Sequence, residues 1–184
     1  TKSEIHIVSE GTDIKVNVKG RKWINCDGKA NFPDGEIFTS PVEDGVNGYI
    51  TFSFPGIYAG KEVEGIKLIV KDGKVVEATA KKGEDLLKSL ISIDEGASSF
   101  GEVAIGTNYG IKNFTKNMLF DEKIGGTVHM AIGDSMEEAG GKNKSSIHWD
   151  MLCDMRNCGK IYADGELFYE NGKFIDEILI KHNL

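Results

Sequence analysis

Residues 66–80, IKLIVKDGKVVEATA, contain two short runs rich in β-branched side chains on either side of Asp72-Gly73. The Asp-Gly dipeptide favours a type I′ turn, because both residues tolerate the positive φ angles that this turn requires. A type I′ turn between two such runs is typical of a β-hairpin. This stretch therefore predicts antiparallel strands over 66–70 and 75–80.

The same turn signals recur along the chain, and helix signals are few. Further Asp-Gly and Asn-Gly dipeptides occur at 27–28, 34–35, 44–45, 47–48, 164–165 and 171–172. They predict a meander over 160–175, and alternating apolar residues predict strands near Ile5 and Ile14. Only 83–93 and, more weakly, 111–122 carry helical spacing. We expect one β-rich α+β domain over residues 1–184, with mixed or antiparallel sheets, many hairpins and few helices.

Composition excludes several classes of partner. The 184 residues include 22 Lys+Arg and 29 Asp+Glu, which gives a formal charge of −7. This acidity disfavours nucleic acids and anionic membrane surfaces, which both attract clustered basic residues. No apolar run reaches the ~20 residues of a membrane span. Three cysteines do not make a disulfide framework, so a reducing cytoplasm is the predicted location.

Four histidines are candidates for metal chemistry: His6, His129, His148 and His182. His6 and His182 lie near the chain ends among polar residues, and surface positions are expected for them. His148-Trp149-Asp150 is different, because residues i and i+2 of a strand share one face. The imidazole and the carboxylate would then supply two metal ligands, although His-x-Asp also suits a core histidine paired with an aspartate.

Three further side chains lie in glycine-rich or apolar strand sequences. His129, in GGTVHMAIG, faces away from Val128 and Met130 and is either a ligand or a satisfied core histidine. Glu36 enters a strand after Asp34-Gly35, and Glu102 lies in FGEVAIG. A carboxylate is costly to bury unless it is paired or coordinated, but Glu102 at an edge strand would instead face solvent.

Together, Glu36, Glu102, His129, His148 and Asp150 would form an oxygen-rich site with two nitrogen ligands. The three carboxylates contribute −3, so two divalent ions would leave +1 for a bound hydroxide or a substrate carboxylate. This ligand set suits a pair of zinc, cobalt or manganese ions bridged by a carboxylate. Such a pair activates water and polarises a carbonyl. The spacing in the sequence does not by itself bring these five residues together.

Four blocks, in order, resemble the aminopeptidase T family of metallo-aminopeptidases, which includes aminopeptidase S and PepS. They are NFPDGEIFTSPVEDG (31–45), GEVAIGTN (101–108), GGTVHMAIG (125–133) and GGKNKSSIHWDM (140–151). The similarity extends over roughly 4–174. Four ordered blocks are far more specific than one His-x-Asp pair.

The resemblance implies a two-metal exopeptidase that removes N-terminal residues from peptides. By motif position, the five residues above match the family's metal ligands. The family is known with zinc or cobalt and forms homodimers, so two divalent ions, a peptide substrate and a homodimer are expected. Its chains also carry an N-terminal α/β domain that this sequence lacks. Residues 1–184 are therefore expected to be the C-terminal, metal-binding catalytic domain.

One position departs from the family pattern. The family usually has a tyrosine seven residues after the first metal-site histidine, and this chain has Met136 there. A thioether cannot donate a hydrogen bond to a tetrahedral intermediate, and losing one such donor typically costs ~10²–10³ in rate. Two functions therefore compete: an active metallo-aminopeptidase domain, and a metal-binding but catalytically silent module for peptide binding or dimerisation. A third possibility is a β-rich domain whose acids and histidines never meet.

Overall fold

The computed structural model describes residues 2–175. In chain order, the strands there are β1 (Glu4–Ser9), β2 (Thr12–Asn17), β3 (Ile24–Cys26), β4 (Glu36–Thr39), β5 (Val46–Thr51), β6 (Gly56–Tyr58), β7 (Lys61–Val63), β8 (Lys67–Lys71), β9 (Lys74–Thr79), β10 (Phe100–Gly106), β11 (Thr127–Gly133), β12 (His148–Asp154), β13 (Lys160–Ala163), β14 (Glu166–Glu170) and β15 (Lys173–Phe174). The helices are α1 (Glu84–Ile91) and α2 (Met118–Asp121), with a 3₁₀ turn at Glu137–Ala139. The predicted β-rich α+β class is confirmed.

The larger sheet has eight strands in the order β15-β14-β13-β1-β2-β5-β8-β9. Three of its hairpins turn at predicted dipeptides, whereas β1 and β2 turn at Glu10-Gly11 and the predicted turn Asn47-Gly48 lies inside β5. Strands β8 and β9 pair antiparallel across Asp72 and Gly73, whose φ angles are 47° and 76°. The meander β13-β14-β15 turns at Asp164-Gly165 and Asn171-Gly172, again with positive φ angles. Local turn chemistry therefore sets much of this sheet's connectivity.

The smaller sheet has five strands in the order β12-β11-β10-β4-β3, all paired antiparallel. One of its faces packs with the larger sheet around a shared apolar core. Ile7 and Ile14 from the larger sheet belong to the same buried cluster as Val103, Met130 and Met151 from the smaller one. The other face of the smaller sheet is therefore free to carry polar groups.

One of the two helix predictions is confirmed. Helix α1 packs on β9 and buries Leu87 and Leu90, as the spacing over 83–93 predicts. The helix predicted over 111–122 is wrong except for the single turn α2. The chain before it is held as a loop, because the buried Asp121 carboxylate accepts hydrogen bonds from the backbone N–H and hydroxyl of Thr115.

Two other expectations concern the chain ends and the membrane. His6 is partly exposed, with its Nε2 2.8 Å from Asp13 Oδ1, whereas His182 lies outside the described residues. Within residues 2–175, none of the helices is long and apolar enough to cross a membrane.

Candidate metal centre

The outer face of the smaller sheet carries all five predicted site residues. Glu102 on β10 pairs with Ala131 on β11, and Ala131 pairs with Asp150 on β12. Directly paired residues share a face, and so do residues two apart on one strand. His129 and His148 therefore lie on the same face as Glu102 and Asp150. This confirms that Val128 and Met130, which are in the core, point away from His129.

A β-bulge at Gly101 puts Glu102 on this face. Phe100 pairs with Ile132 and Glu102 with Ala131, so Gly101 is an extra residue between two successive pairs. Without a bulge, Phe100 and Glu102 would share a face. With it, Phe100 enters the apolar core and Glu102 turns to the opposite side, a typical use of a bulge near a functional site. A Cβ at Gly101 would lie 2.0 Å from the carbonyl oxygen of Asp134, so the position requires glycine.

Glu36 reaches the cluster from the first position of β4. It pairs with Gly106 on β10, in register with Ala104 and Glu102 on the same face. Thr107, the residue directly after β10, donates its N–H to the carbonyl oxygen of Gly35, the residue directly before β4. This hydrogen bond fixes where β4 begins. Glu36 is only 5% exposed, so its carboxylate is buried against the sheet.

The five side chains meet around Glu102. His129 Nε2 lies 3.1 Å from Glu36 Oε2 and 3.4 Å from Glu102 Oε1. His148 Nε2 lies 3.2 Å from Glu102 Oε2 and 3.4 Å from Asp150 Oδ1. Each oxygen of Glu102 thus faces a different histidine. The two sequence alternatives, a solvent-facing Glu102 and acids that never meet the histidines, are both wrong.

Burial and charge act against each other at the histidines. Burial alone would lower the pKa of His129, but its contacts with Glu102 and Glu36 raise that pKa well above the ordinary value. Burial likewise opposes the charge on His148, and the Asp150 and Glu102 carboxylates outweigh it, raising its pKa to about 11. The carboxylates of the cluster therefore favour positive charge at the histidines, whether a proton or a metal ion supplies it.

The carboxylates show the complementary effect. Burial alone would raise the pKa of Glu36, but His129 and a lysine, Lys123, hold that pKa below its ordinary value. Burial also opposes ionisation of Glu102, and the hydrogen bonds to His129 and His148 again lower its pKa. Both pKa shifts favour the ionised carboxylate in spite of its burial.

A backbone carbonyl contacts the His148 ring nitrogen that faces away from the carboxylates and so orients the ring. Its Nδ1 lies 2.8 Å from the carbonyl oxygen of Asp134, which directs Nε2 toward the carboxylates. Such a contact behind an imidazole fixes its tautomer and direction in metal sites. The segment before His148 is anchored as well, because Asp94 accepts hydrogen bonds from the backbone and side chain of Ser146 and from the hydroxyl of Ser145.

Two functional candidates, Glu122 and Lys123, were missed by sequence reasoning. Lys123 is fully buried, with Nζ 2.8 Å from Glu36 Oε1 and bonded to Glu122 Oε1. A carboxylate oxygen of Glu122 also lies within 4.8 Å of ligand atoms of His129 and Asp150. Burial raises the pKa of Glu122 to about 7. A usable signal was the adjacent pair Glu122-Lys123 just before the otherwise uncharged 124–133 segment.

Met136 lies beside the cluster on the same face of the sheet. Its side chain packs against Phe38, Ala104 and Ala139, and Ala104 pairs directly with His129. Tyr109, a possible replacement for the missing family tyrosine, points its hydroxyl elsewhere, donating to the Gly172 carbonyl at 2.8 Å. Its single hydroxyl hydrogen is therefore already used.

The donor set fits divalent ions. The buried His129 Nδ1 has no hydrogen-bond partner among the described residues, although native structures satisfy most such groups. Glu36 Oε2 and Asp150 Oδ1 are also buried, and their contacts with histidine nitrogens at 3.1 and 3.4 Å are not well-aligned hydrogen bonds. Glu36, Glu102 and His129 offer ligand atoms within 4.8 Å of one another, and so do Glu102, His148 and Asp150. Mixed imidazole and carboxylate ligands suit zinc and related ions.

A potential metal group that includes a cysteine is chemically weaker. Cys26, Asp34 and Glu36 also have donor atoms within 4.8 Å of one another. Burial, reinforced by the nearby Glu36 and Asp34 charges, raises the pKa of the Cys26 thiol to about 11. A thiol that stays protonated at neutral pH is a poor ligand, because the thiolate is the form that binds metals.

Comparison with known proteins places this geometry in a family. Residues 1–174 match the thermophilic metalloprotease (M29) family of peptidases. The chain belongs to the M29 family. The resemblance to the aminopeptidase T group is confirmed, since the relatives of this M29 chain are named aminopeptidases.

Two of these relatives show how much of an M29 protein the chain covers. It is 32% identical to aminopeptidase PepS of Streptococcus thermophilus over 206 residues, which covers 94% of this chain and 49% of that protein. It is 33% identical to aminopeptidase AmpS of Bacillus subtilis (strain 168), over 92% of this chain and 48% of that protein. The M29 chain therefore spans about half the length of the curated relatives it matches.

Two solved structures share the fold. Wild-type AmpT from Thermus thermophilus superposes with a TM-score of 0.83 at 29% identity, covering 95% of this M29 chain and 50% of that chain. A 2,5-dihydroxypyridine dioxygenase from Pseudomonas putida KT2440 superposes with a TM-score of 0.74 at 19% identity, covering 95% of this chain and 55% of the dioxygenase chain. The second likeness shows the fold alone, since one fold hosts unrelated reactions.

Proposed function

We propose that this chain is the C-terminal catalytic part of an M29 metallo-aminopeptidase, which removes N-terminal residues from peptides with the help of two divalent ions. The observation that carries the proposal is Glu102, whose two oxygens face His129 and His148 separately. A carboxylate placed in this way is suited to bridge two ions. The names of the relatives support the peptide substrate.

The proposed ligands form two groups that share Glu102. Glu36, Glu102 and His129 form the inner group, which is fully buried. Glu102, His148 and Asp150 form the outer group, where the His148 side chain is 30% exposed. Zinc or cobalt is the expected metal, and when bound the ions would supply an activated water and polarise the scissile carbonyl.

Glu122 is the proposed proton carrier. A carboxylate that is not needed as a ligand in either group can take a proton from the reacting water and pass it on. The position of Glu122 beside His129 and Asp150 places it next to both proposed ligand groups. The Lys123 ammonium group donates hydrogen bonds to both Glu122 and Glu36 and so holds these two carboxylates close together.

The test is hydrolysis of aminoacyl-anilides by the purified chain, stripped with chelator and reloaded with zinc or cobalt. We expect turnover that depends on added metal and disappears in Glu102→Gln. An N-acetylated anilide is the substrate control, because an aminopeptidase requires the free amine. Binding of stoichiometric metal is the first condition, and a protein that retains none would refute the proposal at its base.

A specific observation keeps a second function open, that of a metal-binding but catalytically silent module for peptide binding or dimerisation. Met136 packs against the apolar cluster of Phe38, Ala104 and Ala139, and a methionine has no hydrogen-bond donor where the family pattern has a tyrosine. Met136→Tyr decides between the two functions. Under the silent-module proposal, metal binds without anilide turnover until the tyrosine is introduced. Under the aminopeptidase proposal, the wild-type chain already hydrolyses the anilide.

Several expectations remain predictions. They are a homodimeric assembly, a cytoplasmic location, and the absence of nucleic-acid and membrane partners. The dimer is tested by light scattering of the purified chain with and without metal. A monomer at all micromolar concentrations, in both conditions, would contradict it.

A further inference from the structure

Lys123 places a positive charge inside the proposed metal cluster. Its side chain is 0% exposed, and its ammonium group bonds to both Glu36 and Glu122. A buried ammonium is unfavourable unless it is paired, so these two carboxylates hold it in place. It is a fixed internal cation among groups that also attract divalent ions.

The inner and outer ligand groups differ in their distance from this charge. Lys123 bonds directly to Glu36 of the inner group, at 2.8 Å. In the outer group, Glu102 and Asp150 form ion pairs only with histidines within residues 2–175. A metal ion at the inner position would therefore share the ligand Glu36 with a like charge, whereas no ligand of the outer group forms an ion pair with the lysine.

Charge counting shows that a second ion binds more weakly than a first. When Glu122 is ionised and both histidines are neutral, the carboxylates of Glu36, Glu102, Glu122 and Asp150 contribute −4. Lys123 contributes +1, which leaves −3. One divalent ion brings the cluster to −1, and a second brings it to +1. Without the lysine, two ions would reach neutrality. Because like charges repel strongly at short distance in a buried site, the second ion is disfavoured.

We propose that Lys123 makes the two metal positions unequal, so that one ion binds tightly to Glu102, His148 and Asp150 and the second binds weakly beside Glu36 and His129. This inference rests on the proposed function, because it concerns the same metal cluster. The lysine thereby sets the metal content of the protein. The singly loaded form predominates when metal is scarce, and the doubly loaded form requires excess metal.

The first test is titration of the chelator-stripped wild-type protein with cobalt(II), followed by visible absorption and calorimetry. We expect two steps whose dissociation constants differ by more than about tenfold, a modest threshold for one unit charge at short range. After desalting, elemental analysis should find one tightly held ion. His148→Gln should remove the tight step, and Glu36→Gln should leave it intact.

The second test replaces the lysine. Lys123→Met should reduce the ratio of the two dissociation constants at least tenfold relative to wild type, mainly by tightening the second step. The matched control is Lys144→Met, which removes an equal charge from an exposed lysine paired with Glu137 and should keep the wild-type ratio. Circular dichroism checks that each variant is folded. If Lys123→Met does not fold, the wild-type titration and the two ligand variants decide alone.

Three results would overturn the inference. The first is a wild-type protein whose two metal dissociation constants differ by less than tenfold. The second is a tight step lost in Glu36→Gln but kept in His148→Gln, and the third is a folded Lys123→Met variant that keeps the wild-type ratio of dissociation constants. All three leave the proposed metal site standing. A protein that binds no ion at all would instead refute the proposed function along with the inference, so the two failures are distinguishable.

Discussion

Replacing Gly101 with alanine tests whether the β-bulge is what turns Glu102 into the metal cluster. The new Cβ would lie 2.0 Å from the carbonyl oxygen of Asp134 and 2.8 Å from that of Gly133. Both are backbone atoms, so relief requires a strand to shift rather than a side chain to rotate. The same Asp134 carbonyl orients His148, so the shift would disturb two proposed ligands at once.

The expected loss of stability is the difference between the cost of overpacking and the gain from a less flexible unfolded chain. Overpacking a tight site costs typically 1–3 kcal/mol, and the close backbone contact places Gly101→Ala at about 3 kcal/mol. Reduced flexibility of the unfolded chain offsets about 0.4–1 kcal/mol of this cost. A net loss of about 2 kcal/mol corresponds to a fall in Tm of about 4–8 °C for a domain of this size. Affinity for the first metal ion should fall on the order of 10–100-fold, as is typical when a group that orients a metal ligand is disturbed.

The assay combines thermal unfolding with metal titration. Gly110→Ala is the matched control, because a Cβ there meets only the side-chain oxygen of Asn108, at 3.0 Å. This control should keep the wild-type Tm and the wild-type metal affinity. If Gly101→Ala unfolds within 1 °C of wild type and binds metal equally well, the bulge does not position Glu102 and the reasoning is refuted.

Three further predictions concern the shared ligand, the core and the segment before His148. Glu102→Gln should lower bound metal more than any other single ligand substitution, measured by equilibrium dialysis, because Glu102 belongs to both ligand groups. Phe100→Ala should cost about 3–5 kcal/mol in urea unfolding, since Phe100 is buried in the core, while the folded fraction keeps its metal content. The hydrogen bonds from Ser146 and Ser145 hold the pKa of Asp94 below its ordinary value, so its stabilising effect is present above the unfolded pKa of about 4 and is lost as pH falls further. Asp94→Asn should therefore lower Tm at pH 7, and the gap to wild type should narrow below pH 4; an equal gap at both pH values would contradict this.

Much of the architecture is encoded locally and could be predicted. Asp72-Gly73, Asp164-Gly165 and Asn171-Gly172 adopt the positive φ angles that their residue types tolerate, and hairpins follow. Strand alternation likewise predicts that His129 faces away from Val128 and that His148 shares a face with Asp150. Period-2 patterning determines these faces wherever a strand is regular.

The unpredicted features depend on interactions between distant parts of the chain. Alternation places Phe100 and Glu102 on one face, and only the bulge, set by the close approach of Gly101 to Asp134, reverses this. Lys123 enters the cluster from the turn after α2, and its partner Glu36 is 87 residues away in the chain. No periodic pattern marks such a side chain, since its burial depends on partners that only the folded chain supplies.

Whether Glu102 joins two metal positions is tested most directly by anomalous diffraction from crystals soaked in excess zinc. We expect two anomalous peaks, each within about 2.0–2.2 Å of one Glu102 oxygen, as expected for zinc–carboxylate contacts. One peak should also contact His148 and Asp150, and the other Glu36 and His129. Peaks located only at other residues, or no peak beside Glu102, would contradict this expectation.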